Sequence, residues 1–308
     1  MKHLRRFLFF ILASTFLLSS CDLPGLGGGQ AKNTVKISAL ATSESQIMAY
    51  MLKELIEHDT KGETSGTIIN NLGSATIQHN ALMNGDADIS STRYTGTDLV
   101  GVLEQEPITD TSKAMAITKK LFNQKFNQTF FNSYGFENTF AFMVTKETAE
   151  KYNLQTVSDL KKIKDKANVG TDTTWIKRGG DGYAPFQKHY GFGFNSLKPM
   201  QIGLVYDALK NNKLDVALGY TTDGRIAAYD LVVLKDDKNF FPPYDASAVA
   251  PNKLLKEHPQ IKKAISKLDD KISTEQMQKL NYEADGKGKE PAVVAETFLK
   301  KHNYFDEK

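Results

Sequence analysis

Arg93-Tyr94-Thr95-Gly96-Thr97-Asp98 ends a short unit of chain whose grammar returns once more, over a hundred residues later. Ahead of it, Ile77, Ala81 and Leu82 recur at helical spacing, Asn84-Gly85 stops that helix, and Ala87-Asp88-Ile89 begins the strand that delivers Tyr94. In the second copy Ile202, Val205 and Leu209 keep the helical period and Asn211-Asn212 breaks it. Residues 214–218 then read as a strand, and Tyr220-Thr221-Thr222-Asp223-Gly224-Arg225 follows. Each copy places a tyrosine at the C-terminal end of a strand, the end where open α/β sheets bind ligands. Two such copies predict two lobes facing one ligand.

Working outward, Val35, Ile37 and Ala39 alternate with Lys36 and Ser38, as a strand requires. Ser43 and Gln46 have capping-box spacing, and Ile47, Met48, Met51, Leu52, Leu55 and Ile56 form one helical stripe behind them. Residues 62–66 are a turn cluster and 67–72 a second strand, so the order βαβα predicts a parallel sheet with helices on its faces. Residues 138–145 read as a strand with Phe140, Phe142 and Val144 on one face and Thr139, Ala141 and Met143 on the other. Gly179-Gly180-Asp181-Gly182 reads as a turn before a helix over 183–190, because no Gly-Lys-Ser/Thr or GxGxxG pattern follows that would make it an anion cradle.

Residues 231–234 suit a further strand, and Phe240-Phe241-Pro242-Pro243-Tyr244 is a stiff aromatic turn in which proline limits the backbone. The remainder reads as helices over 251–257, 260–268, 273–282 and 291–301, with a second Ser-x-x-Gln box at Ser273, returning to pack on the first lobe. The expected architecture is therefore α/β and two-lobed. Its first lobe is discontinuous, 33–131 with 238–308, and its second lobe is 132–237.

The first twenty residues stand apart. Lys2, Arg5 and Arg6 precede an apolar run over 7–18 of signal-peptide length, and Leu18-Ser19-Ser20-Cys21 resembles a bacterial lipobox with Cys21 as the acylated residue. Residues 21–32, rich in glycine, read as a flexible tether. A single cysteine excludes intramolecular disulfides and thiolate metal clusters. Without the leader's three basic residues, the 39 Lys and Arg become 36 against 36 acidic residues, a balance unsuited to nucleic acid.

Enzymatic chemistry finds little support. HExxH, GxSxG, Walker and EF-hand patterns are missing, and the six histidines are scattered. His79 and His189 fall within predicted helices as surface or core-edge residues. Asp98 and Asp223 form a conceivable acid/base pair, but helix capping is the plainer use for each. No cofactor and no metal site is expected. Tyr94, Phe140, Tyr220 and Tyr244 come from separate strand ends or turns, and four such rings suit a quaternary ammonium, which carries charge but no N–H to donate.

The chain resembles the substrate-binding lipoproteins of ABC importers for osmoprotectants, the glycine betaine/carnitine/choline family. The likeness rests on Ser-Glu-Ser at 43–45, Leu-Ile-Glu-His-Asp at 55–59, Asn-Leu-Gly-Ser at 71–74 and Thr-Arg-Tyr-Thr-Gly-Thr-Asp at 92–98. It continues through Ser-Tyr-Gly-Phe at 133–136, Gln-Ile-Gly-Leu-Val-Tyr-Asp-Ala at 201–208, Thr-Asp-Gly-Arg at 222–225 and Phe-Phe-Pro-Pro-Tyr at 240–244.

The resemblance implies a type II periplasmic-binding-protein fold whose cage positions fall on Tyr94, Phe140, Tyr220 and Tyr244. Thr97 matches a position where members of broad substrate range carry threonine. Phe140 stands where the family usually has tyrosine, and Leu40 where some members place a glutamine that helps hold the ligand carboxylate. The implied protein is a monomer, lipid-anchored on the extracellular face of the cell membrane, that passes its ligand to an ABC permease. A same-fold receptor for choline alone or for ergothioneine is the competing reading.

Overall fold

A computed structural model describes residues 33–306; the leader, Cys21 and the glycine-rich stretch lie outside the described residues. The chain opens β1 (Asn33–Leu40), α1 (Ser43–Asp59), β2 (Thr64–Leu72), α2 (Ala75–Asn84), β3 (Ile89–Tyr94), α3 (Thr95–Gly101), α4 (Thr111–Phe126) and β4 (Gln128–Phe130). It then crosses to β5 (Phe140–Val144), α5 (Lys146–Tyr152), β6 (Asn168–Thr171), α6 (Thr173–Lys177), α7 (Tyr183–Tyr190), β7 (Ser196–Pro199), α8 (Ile202–Lys210), β8 (Val216–Tyr220), α9 (Gly224–Ala228) and β9 (Val232–Val233). It returns through β10 (Ala246–Pro251) to α10 (Asn252–Glu257), α11 (Pro259–Ser266), α12 (Thr274–Asn281) and α13 (Pro291–Lys301).

Two five-stranded sheets result, ordered β2-β1-β3-β10-β4 and β7-β6-β8-β5-β9. In each, three strands run parallel, while the strand entered after a crossing between lobes runs antiparallel beside the tyrosine-bearing strand. The repeated sequence unit therefore maps onto equivalent places: β3 and β8 are the third strands of their sheets. Beside the second crossing the two connecting segments pair, with Glu137 opposite Asp245 and the Asn138 N–H donating to the Tyr244 carbonyl at 3.1 Å.

The stripe on α1 is fully buried against β1, α11 and α13, so the helical tail does return to the first lobe. Each such aliphatic side chain contributes about 1.5–3 kcal/mol. Face alternation in β5 is as expected: Phe140, Phe142 and Val144 join one core and Ala141 and Met143 another.

Several local expectations change. The sheets are mixed rather than parallel. Residues 246–250, assigned no element from sequence and lying just ahead of the expected helix at 251, form the buried strand β10, where Ala246, Ala248, Val249 and Ala250 are all inaccessible to solvent. Strand β2 begins inside the expected turn cluster, at Thr64. The box at Ser273 is present, Gln276 N–H donating to the serine Oγ and Ser273 N–H to Gln276 Oε1. The one at Ser43 is not: Thr42 caps α1, and Gln46 reaches Asn71.

Asp223 caps α9 as expected, whereas Asp98 caps nothing. Its carboxylate lies inside α3, fully buried and ion-paired with an equally buried Arg93. Among the described residues no helix is long and apolar enough to cross a membrane, and no cluster of His, Cys, Asp and Glu is arranged to hold a metal.

Candidate ligand-binding site

The Arg93–Asp98 pair brackets Tyr94-Thr95-Gly96-Thr97 and closes it into a rigid strand-to-helix turn. Thr95 stitches that turn to the returning segment: its N–H donates to the Asp245 carbonyl, its hydroxyl to Pro243, and it accepts from the Asp245 N–H, each at 3.1 Å. Gly96 permits the approach. A Cβ there would lie 2.7 Å from the Pro243 carbonyl oxygen and 3.0 Å from the Tyr244 ring. Gly96, Thr97 and Tyr244 thus share one edge of the cleft, with the Tyr94 backbone directly behind them.

The facing edge is built by β5 and β8. Phe140 and Tyr220 are directly opposite in the antiparallel register, their rings 5.1 Å apart and tilted by 31°. Gly219 leaves room for the Tyr206 hydroxyl, which accepts from the Tyr220 N–H at 2.8 Å and fixes the backbone under that ring. Phe241 stands 5.7 Å from Phe140 and completes the apolar backing.

Arg178, just past α6, joins the two edges. Its guanidinium carbon is 5.5 Å from the centre of the Phe140 ring, and one of its nitrogens donates to the Tyr244 hydroxyl at 3.0 Å. Tyr244 donates onward to Asp181 at 2.9 Å, and Asp181 also pairs with Arg178. Thr97, Gly96, Arg178, Asp181 and Tyr244 line a groove of about 880 Å³ between the lobes. Its size suits a small solute.

Tyr94 points elsewhere. Its hydroxyl donates to Glu44, a buried carboxylate at the start of α1 that also accepts from Asn138 at 3.1 Å and Asn281 at 3.2 Å. Burial, with Glu44 beside it, pushes the Tyr94 phenol far above its ordinary range. Burial and the neighbouring Asp172 carboxylate push Tyr220 up to about 12. Burial and Asp181 likewise raise Tyr244. All three phenols stay neutral and remain hydrogen-bond donors.

Of the six positions singled out from sequence, Phe140, Tyr220 and Tyr244 converge about Arg178, and Thr97 lines the groove beside them. Tyr94 joins through the backbone pairing of Tyr94 with Ala246. Leu40 ends β1 opposite Leu72, donates its N–H to Ser45 Oγ at 2.9 Å, and is not among the groove's lining residues.

Glu44, Asp172, Arg178 and Asp181 were not anticipated. For the last two a signal existed: an arginine and an aspartate at i,i+3 around a glycine pair leave two opposite charges on a short, bare loop. Trp175 is fully buried against Phe142 and Phe186, apart from the rings at the cleft.

Comparison with known proteins identifies the family and the fold. Residues 33–301 match the family described as the substrate binding domain of ABC-type glycine betaine transport systems. The chain is 58% identical over 307 residues to the carnitine transport binding protein OpuCC of Listeria monocytogenes, covering 100% of this chain and 99% of that one. A crystal structure of a glycine betaine/carnitine/choline ABC transporter protein superposes with a TM-score of 0.86 at 68% identity, covering 88% of this chain and 100% of the other. An ergothioneine transport permease/binding protein of Helicobacter pylori is 34% identical, over 97% of this chain and 52% of its own length. The chain belongs to the substrate-binding family of ABC-type glycine betaine transport systems, a family of solute-binding proteins with the two-lobed type II fold and not of enzymes.

Proposed function

We propose that this protein captures zwitterionic quaternary ammonium osmoprotectants, carnitine and glycine betaine foremost, between Tyr94, Phe140, Tyr220 and Tyr244. The observation that carries the reading is Arg178. An organic cation of the protein's own already stands over the Phe140 ring and against the Tyr244 hydroxyl. A trimethylammonium head takes the ring faces, each contributing ~0.5–2 kcal/mol when desolvated. The guanidinium then turns to the ligand's carboxylate, which it pairs with in a bidentate manner. Thr97 supplies a hydroxyl at the groove wall, and Leu40, outside that wall, offers the carboxylate no donor.

Phe140 and Tyr220 belong to one sheet and Tyr94 to the other, so a ligand touching both favours the closed arrangement by population shift. Cys21 carries the lipid that holds the protein, as a monomer, at the outer face of the cell membrane, and the tether lets the closed form reach its permease. Likeness to the Helicobacter ergothioneine protein supports a second reading, with ergothioneine as the ligand. Titration calorimetry with carnitine, glycine betaine, choline, proline betaine and ergothioneine separates the two. Tight binding of ergothioneine alone, or of none of the five, refutes the proposal.

A further inference from the structure

Every tyrosine of the cage has a carboxylate for a neighbour. Tyr94 donates to Glu44 and Tyr244 to Asp181, and the Asp172 carboxylate stands beside Tyr220. The three acids come from unrelated elements: the first turn of α1, the loop before α7 and the residue after β6. Tyr190 and Tyr229 make similar bonds to Asp236 and Asp207 away from the cleft, so the bond alone carries no message. The convergence does. Phe140, the one ring without a hydroxyl, is the ring that faces Arg178.

Three carboxylates and one guanidinium leave the surroundings of the rings at a formal charge of −2, in a site where protein replaces much of the water. A phenol that donates to an anion also holds a more electron-rich ring, which raises the attraction of its face for a cation. Both effects act on charge and are indifferent to shape.

We propose that Glu44, Asp172 and Asp181 are the counter-charges of this site, selecting a permanently charged ammonium head over an uncharged group of the same size. The inference rests on the cage reading above. Glu44 and Asp172 act through Tyr94 and Tyr220 and are positioning residues that do not themselves meet the ligand.

Glycine betaine and 3,3-dimethylbutanoate test it, because they share a carboxylate and differ only in carbon for nitrogen. Calorimetry, with the weaker ligand measured by competition, gives the affinity ratio for the wild type, Glu44→Gln and Asp172→Asn. A unit charge about 7 Å from the ammonium, at an effective dielectric of about 20–40, predicts that each variant lowers the ratio about 7- to 55-fold. A variant that merely loosens the cleft weakens both ligands alike and leaves the ratio unchanged. An unchanged ratio in both variants, with betaine still bound, overturns the counter-charge inference while leaving the cage intact. A wild type with no preference for glycine betaine over its isostere overturns the cage and the inference together.

Discussion

Replacing Asp98 by alanine tests whether the Tyr94–Thr97 turn is held by its buried ion pair. Both side chains are fully inaccessible to solvent. Arg93 Nε and Nη1 have no other hydrogen-bond partner among the described residues, and the nearest favourable group is the Phe122 ring, 5.6 Å from the guanidinium carbon. Burial already raises the Asp98 carboxyl, with Arg93 opposing it, so the pair is a compromise between desolvation and attraction. Asp98→Ala removes the attraction and leaves the guanidinium stranded, which costs about 3–5 kcal/mol. With an unfolding entropy of about 2.1 cal/mol/K per residue over the described chain, the melting temperature falls by about 5–9 °C if unfolding is two-state.

Arg93→Met with Asp98→Leu removes both charges and recovers most of that loss, because a packed apolar pair of similar volume is often as stable as a buried ion pair. Differential scanning calorimetry of the two variants reads both numbers. A fall of less than about 2 °C for Asp98→Ala, or an equal fall in the double variant, refutes the reasoning.

Tyr94→Ala and Tyr220→Ala each weaken glycine betaine binding by about 1–2 kcal/mol while leaving the far-ultraviolet circular dichroism unchanged; undiminished calorimetric affinity in both removes the cage. Gly96→Ala drives a methyl group toward the Pro243 carbonyl oxygen, 2.7 Å from the new Cβ, and toward the Tyr244 ring. It lowers thermal stability by about 1–3 kcal/mol and costs affinity, and an unaltered Tm shows that the returning segment yields easily.

Glu54, on α1, has its carboxyl pushed up to about 7 by burial and then by Glu296. Between about pH 4.5 and 7 the folded chain keeps a proton that the unfolded chain releases, so stability from this group falls as pH rises through that window and stays low above it. Glu54→Gln flattens this part of the Tm–pH profile; a profile identical to the wild type contradicts the assignment.

The paired strand-end tyrosines were legible because two independent periods met at each: a helix stripe, a polar break and a β-run leading to Tyr94 and to Tyr220. Helix α11 was legible for the same reason, its apolar positions keeping one face. Strand β10 was not, since Ala246-Ser247-Ala248-Val249-Ala250 has small residues on both faces, no polar alternation and a single β-branched residue, Val249, to mark it. It lies between β3 and β4, where both faces are covered and little space remains for larger side chains.

Asp98 misled because aspartate after a strand is so often a cap. Only the fold reveals that Arg93, five residues back, points into the same interior. Beyond its spacing from Asp181, Arg178 had no local signature, because its partners Phe140 and Tyr244 lie far away in sequence.

The returning tail does more than cover the first sheet. From α12, Gln278 donates to the Thr221 carbonyl at 2.7 Å and Asn281 to the Thr222 carbonyl at 2.8 Å, immediately beyond Tyr220. Thr221 in turn donates its hydroxyl to the Glu137 carbonyl at 2.7 Å, beside the place where the two crossing segments pair. These contacts lie beside the paired crossing segments, and over the groove Tyr244 bonds to both Arg178 and Asp181.

Hydrogen bonds to charged groups contribute about 1.5–3 kcal/mol each, so a closed arrangement held by two of them is poised within a few kcal/mol of an open one. A solute that met only Phe140 and Tyr220 would bind with no preference between the two. On the proposed cage reading, closure requires the edge that Gly96 brings together, with Tyr94 and Tyr244 adding their rings when the lobes meet. The duplicated strand ends are useful as a pair because each supplies what the other's sheet lacks.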